Sequence, residues 1–180
     1  TINNFATAVF EALSGGGTLT GSGNAFTLNL GTIALGGTTV TENLGVLNAA
    51  VGPADLLSGS FTVSGASAFL NNGFAAFSGL SAGQADTPPD ITLLTNQSGS
   101  FNETVTLYAT GSNSSGYAGT LTPEVLTIIG SVTPPGWKLD QPGDFDAAAN
   151  WSTGSVPTAN SDALINFADQ PLVLHGSGND

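Results

Sequence analysis

Short runs in which apolar and polar residues alternate recur along the chain. In AFTLNL, Phe26, Leu28 and Leu30 share one parity, and in TVTENLGVL so do Val40, Leu44 and Val46, with Glu42 an exception on the same side. SFTV adds Phe61 and Val63, ITLL adds Ile91 and Leu93, and FNETVTLYA adds Phe101, Val105, Leu107 and Ala109. Successive strand residues face opposite sides, so each set marks the core face of a strand. Turn-forming stretches break the runs at Gly15-Gly16-Gly17, Gly36-Gly37, Asn71-Asn72-Gly73 and 111–116. Many short strands between such turns predict an all-β sandwich or barrel. Residues 6–13 and 66–77 fit a short helix or a strand equally well, and VLTIIGSV reads as the closing strand before Thr133-Pro134-Pro135-Gly136. Two adjacent prolines favour extended backbone and predict a stiff connector there.

Charge narrows the functional classes. Thirteen Asp and Glu face one Lys, giving a net charge of -12. Phosphate backbones are neutralised by Lys and Arg, so a nucleic-acid partner is excluded, and an anionic membrane surface would repel the chain. No apolar run approaches the roughly 20 residues of a membrane span, so no membrane insertion is expected. The chain has no Cys. That fits the cytosol and many exported bacterial proteins alike.

The stretches GGGTLTGSGNAFTLNLGTIALGG, LGVLNAAVGPADLLSGSFTVSG, FSGLSAGQADTPPDITLLT and GSFNETVTLYATGSNSSGYAGTLTPEVLTIIGSV resemble bacterial choice-of-anchor D domains. The resemblance covers residues 15–132 and implies an antiparallel immunoglobulin-like sandwich, akin to the ASPM/hydin-type modules. The tail, WKLDQPGDFDAAANWSTGSVPTANSDALI, looks like the opening of passenger regions in autotransporter-like surface proteins. Four parts are therefore expected. Residues 1–14 are an N-terminal strand or the remnant of a preceding module, 15–132 the sandwich, 133–136 a linker and 137–180 the start of a second β-rich module. The resemblance implies a secreted or surface-exposed bacterial protein and carries no catalytic residues.

Candidate chemistry is sparse. Asp140, Asp144, Asp146 and Asp162 are the candidate metal ligands, with calcium as the cofactor considered, because Ca²⁺ takes about six to eight oxygen ligands. The spacing is not that of an EF-hand, and solvated loops are the simpler role. Trp137 and Trp151 suit either stacking on a sugar or packing between modules, with packing favoured. Nothing further supports a carbohydrate partner. His175 is the sole histidine, and no G-x-S-x-G elbow accompanies it. The Gly-rich 14–23 stretch lacks the ending of a phosphate loop and reads as a connection between strands. Ile2, Phe5, Val9 and Phe10 are candidates for an assembly strand that completes a neighbour's sheet.

The expected function is a non-catalytic structural or adhesive module whose partners are other modules of the same protein or identical subunits. The alternative is a subunit of an extracellular filament or surface layer built through strand edges. An enzyme is not expected.

Overall fold

The computed structural model describes residues 3–65, 67–138, 143–158 and 163–165. Twelve strands are described: β1 (Ala8–Gly15), β2 (Thr18–Ser22), β3 (Ala25–Ala34), β4 (Val40–Asn48), β5 (Leu56–Gly65), β6 (Phe69–Asn72), β7 (Phe77–Leu80), β8 (Ala85–Asp86), β9 (Asp90–Leu93), β10 (Gly99–Ser112), β11 (Ala118–Thr120) and β12 (Glu124–Thr133). One sheet runs β1-β4-β9-β6, with β8 also on β4. The other runs β2-β3-β12-β10-β5-β7, with β11 on β10.

With β2, β3, β7, β8 and β11 set aside, the first, second, fifth and fourth strands form one sheet and the third, sixth and seventh the other. That is the constant-type immunoglobulin order. The fold is an all-β, immunoglobulin-like sandwich. Most neighbouring strands pair antiparallel, as in the β2–β3 hairpin and in β10 with β5. The contact between β3 and β12 differs. Val125 N–H donates to the Asn24 carbonyl and Leu35 N–H to the Thr133 carbonyl. The numbers rise together, so these two strands run parallel.

The alternating apolar positions build the core. Phe26, Leu28 and Leu30 of β3, Leu44 and Val46 of β4, Ile91 and Leu93 of β9, and Val105, Leu107 and Ala109 of β10 are all buried. Each large aliphatic side chain so buried contributes about 1.5–3 kcal/mol. Leu126, Ile128 and Val132 of β12 complete the set. Phe61 anchors an aromatic cluster, its ring 5.3 Å from Phe74 and 5.9 Å from Phe77.

The expectations at four places are resolved. Residues 6–13 lie mostly in β1, which pairs with β4 from Ala8↔Asn48 to Gly15↔Glu42, so this stretch is a strand of the sandwich. Between 66 and 77 the described residues carry β6 and the start of β7 and no helix. The 14–23 stretch is more than a connection, because β2 lies within it. Val63, expected on the core face, is 40% exposed. It has the inward parity of Leu57, but it sits near the far end of β5, where little remains to cover it.

Gly73 is required by its position. Its φ is +72°, and a Cβ there would overlap the Pro88 carbonyl.

The chain divides into two compact units, Thr1–Gly31 with Val40–Leu94 and Phe101–Gly130, and Thr32–Thr39 with Thr95–Ser100 and Ser131–Asp180. In the second, Trp137 and Trp151 form an antiparallel bridge and Gly136 bridges to Leu164. A short 3-10 turn, Ala148–Asn150, leads into Trp151.

Candidate functional site

Acidic side chains inside the sandwich are the chemistry that alternation alone did not expose. Glu103 shares the inward parity of Val105 and Leu107, and Glu124 that of Leu126 and Ile128; they are 5% and 4% exposed. Glu42, the exception on its strand face, is 2% exposed, and its Oε2 accepts the Gly17 N–H at 2.9 Å. That bond ties the passage from β1 to β2 onto β4. Strand parity had already marked Glu42, and the same signal could have found Glu103 and Glu124.

Glu103 meets the Asn71 side chain. Burial pushes its carboxyl above the usual range, and the hydrogen bond from Asn71 opposes that rise. Glu103 Oε1 and Asn71 Oδ1 are both buried without a hydrogen-bond partner. Two acceptors therefore lie in one buried pair, short of one proton.

Glu124 lines a groove of about 330 Å³ whose other walls are Ala6–Val9, Gly23–Asn24 and Leu121–Thr122. Its Oε2 is buried and has no hydrogen-bond partner. Burial alone raises the carboxyl to about 7. The groove mouth is built by local bonds. Asn24 Nδ2 donates to the Thr122 carbonyl at 3.3 Å, and Val125 N–H to the Asn24 carbonyl at 2.9 Å. These hold the start of β12 against the turn between β2 and β3.

One groove wall belongs to the segment expected to assemble. Asn4 is fixed by its N–H to the Pro53 carbonyl and its Nδ2 to the Val51 carbonyl. Phe5 is 67% exposed, its ring 5.6 Å from Tyr117. Val9 is half-buried. Phe10 corrects the expectation: it is 2% exposed and packs on Phe26 at 5.8 Å, so it belongs to the core and offers no contact to a neighbour. Ile2 lies outside the described residues. β1 is nevertheless an edge. Ala49 N–H donates to the Thr7 carbonyl. In an antiparallel ladder this alternation turns Val9 toward β4 and the backbone groups of Ala8 and Phe10 away from it, where both residues are nevertheless buried.

In the second unit the tryptophans pack together. Trp151 is fully buried, its ring 5.1 Å from Trp137 and 4.8 Å from Phe145, and its Nε1 donates to the Phe145 carbonyl at 2.8 Å. Asp144 shapes the adjoining turn. Its Oδ1 accepts the Asp146 N–H at 3.0 Å and its carbonyl accepts Asn150 Nδ2 at 2.8 Å. Asp140, Asp162 and His175 lie outside the described residues. Among the described residues no three His, Cys, Asp or Glu gather as a metal site. A further cavity of about 320 Å³, lined in part by Gly36, Asn96 and Pro157, has no charged wall.

No family model matches the sequence, and no curated protein matches it. Several solved structures are similar. The ASH/PapD-like domain of human CEP192 is 13% identical, with 66% of this chain and 85% of that one covered at a TM-score of 0.37. AggA, the major subunit of aggregative adherence fimbriae type I from Escherichia coli, is 11% identical, with 73% and 98% covered at a TM-score of 0.38. A cohesin module from a Clostridium perfringens family 33 glycoside hydrolase is 11% identical, with 66% and 98% covered at a TM-score of 0.29.

Proposed function

We infer that this chain is a non-catalytic structural or adhesive module of a secreted or surface-exposed bacterial protein. The observation that carries the reading is the outer face of the sheet containing β2, β3, β12, β10 and β5. Thr18 and Thr20 lie beside Asn29 and Thr27, and Thr104, Thr106 and Tyr108 lie beside Ser64, Thr62 and Ser60. Thr127, Ile129 and Ser131 of β12 fall between them. The outward positions of these five strands hold no charged residue, in a chain of net charge -12. A broad neutral face rich in hydroxyl groups suits contact with an extended solid or polymeric surface. It carries no carboxylate, histidine or lysine that could act as a general base toward those hydroxyls.

The amide side chains support the same reading. Asn4, Asn24, Asn43, Asn48 and Asn113 all bond to neighbouring backbone or to a buried carboxylate, as structural ties. The choice-of-anchor D likeness and the autotransporter-like tail belong to this proposal.

A second reading, a subunit that assembles through strand edges, is favoured by the place of β1 at the end of its sheet and by exposed Phe5. Mass measured by light scattering over a hundredfold concentration range separates the two. A constant monomer mass supports the module, and growth into ordered fibres seen by electron microscopy supports the subunit. Turnover of a sugar or peptide substrate by the purified chain would refute both.

A further inference from the structure

Asn72 is the one asparagine of the sequence that a glycine follows. It ends β6, a four-residue strand at the edge of its sheet, and both Asn72 and Gly73 are exposed. Leu94 N–H donates to the Ala68 carbonyl, so the bonded pairs of this antiparallel ladder fall at Leu70↔Thr92 and Asn72↔Asp90. Gly73 follows the last of them, which leaves its N–H outside the ladder, and with no Cβ it sets no bulk beside its own nitrogen. The Asn72 side chain meets Asp90 directly, its Nδ2 donating to Oδ1 at 2.9 Å.

We propose that Asn72 is a site of self-modification, converted through a cyclic imide to aspartyl and isoaspartyl residues. The Gly73 nitrogen bonds to Asn72 Cγ, the Cγ–Nδ2 bond breaks, and the Gly73 N–H proton leaves with Nδ2 as ammonia. Water then opens the imide at either carbonyl. One opening restores the original backbone with an acid side chain, and the other routes the backbone through Cγ. Ring closure turns Asn72 out of its extended conformation, so it proceeds while the last pair of β6 is open. The end of a short edge strand is where a sheet opens at least cost. The consequence is local. In place of an amide that donates to Asp90, the aspartyl product sets one carboxylate against another, and like charges directly opposite destabilise a ladder. The isoaspartyl product lengthens the backbone by one carbon and breaks the register at this pair. With age β6 loosens from β9 and the chain gains a negative charge, whether the module is a passive spacer or an assembling subunit.

The test stores the whole chain in warm neutral buffer beside the free peptide acetyl-Phe-Leu-Asn-Asn-Gly-Phe-amide. Both are followed by peptide mass spectrometry, with isoaspartyl and aspartyl products separated by chromatography. Expected at Asn72 is the mass gain of an amide-to-acid exchange with isoaspartyl among the products, slower than in the free peptide and ahead of every other asparagine of the chain, Asn71 included. The aged fraction should exchange the Leu70 amide about tenfold faster, the loss of one hydrogen bond to a charged acceptor. Asn72→Gln should resist both changes, and the readings on the unaltered chain report even if that variant is unstable. An Asn72 still intact when the free peptide has fully converted, or one converting no faster than Asn71, overturns the proposal. Aspartyl without isoaspartyl overturns the imide route, and unchanged exchange at Leu70 in the aged fraction overturns the loosening of β6.

Discussion

Replacing Glu124 by Gln isolates one buried carboxyl as a source of pH-dependent stability. Folding raises its pKa from 4.5 to about 7, through burial alone. Below 4.5 the folded and unfolded chains are both protonated, and the group has no pH effect. Between 4.5 and 7 the folded chain keeps a proton that the unfolded chain has released, so stability falls as pH rises through this window. Above about 7 the contribution levels off. The tighter proton corresponds to about 3 kcal/mol, reduced to about 2 kcal/mol because the groove admits water. Glu124→Gln has nearly the same shape and no charge. The variant should match the original at pH 4 and exceed it by about 2 kcal/mol at pH 8, or about 4–8 °C in Tm. Asp86 and Glu103 are shifted in the same direction and contribute to both proteins, so the difference between the two unfolding curves reports Glu124. Urea unfolding at half-unit intervals from pH 4 to 8.5 is the assay. A difference that is constant with pH would refute the assignment, because a packing effect does not titrate.

Three other outcomes follow from the same structure. Glu103→Gln supplies an N–H to Asn71 Oδ1 while keeping an acceptor for Asn71 Nδ2, and should stabilise the chain by about 1 kcal/mol at pH 8 and not at pH 4. Urea midpoints at the two pH values check it. Trp151→Ala removes the centre of the Phe145 and Trp137 packing and should cost about 3–5 kcal/mol locally, seen as lost hydrogen-exchange protection at the Lys138 and Ser152 amides. Gly73→Ala forces a Cβ onto the Pro88 carbonyl at positive φ and should lower stability by about 1–3 kcal/mol in thermal unfolding.

The strands that could be read from the sequence were those with a clear apolar parity, broken only by Glu42 on β4 and Glu103 on β10, and Leu28, Leu44, Ile91 and Leu107 all lie in the core as that parity requires. Short strands such as β8 and β11 carry two and three residues, too few for a period to show. The parallel pairing of β3 with β12 joins positions about a hundred residues apart, and nothing local encodes it. Residues 6–13 were ambiguous because β1 is an edge strand, half in the core, whose register shifts between Ala12 and Ser14. Glu103 and Glu124 escaped for another reason. An apolar count skips charged residues, although the positions of these two on β10 and β12 place them inward with Val105 and Leu126. The groove itself could not be read, since its walls come from three separate stretches of chain.

The placement of charge also separates the two ways in which copies of this chain could meet. Screening at physiological salt acts over about 8 Å, so two molecules of charge -12 approach closely only where few acids face the contact. The outer face of the β2-β3-β12-β10-β5 sheet meets that condition, and contact through it should respond weakly to salt. The β1 edge does not meet it, because Glu11 lies on the strand and Glu124 lines the adjoining groove. Pairing of one β1 edge with another therefore brings acids together, and should strengthen with added salt or with pH lowered below 7, where Glu124 takes up its proton. The sign of the salt response of self-association thus assigns that contact to a face without a structure of the complex.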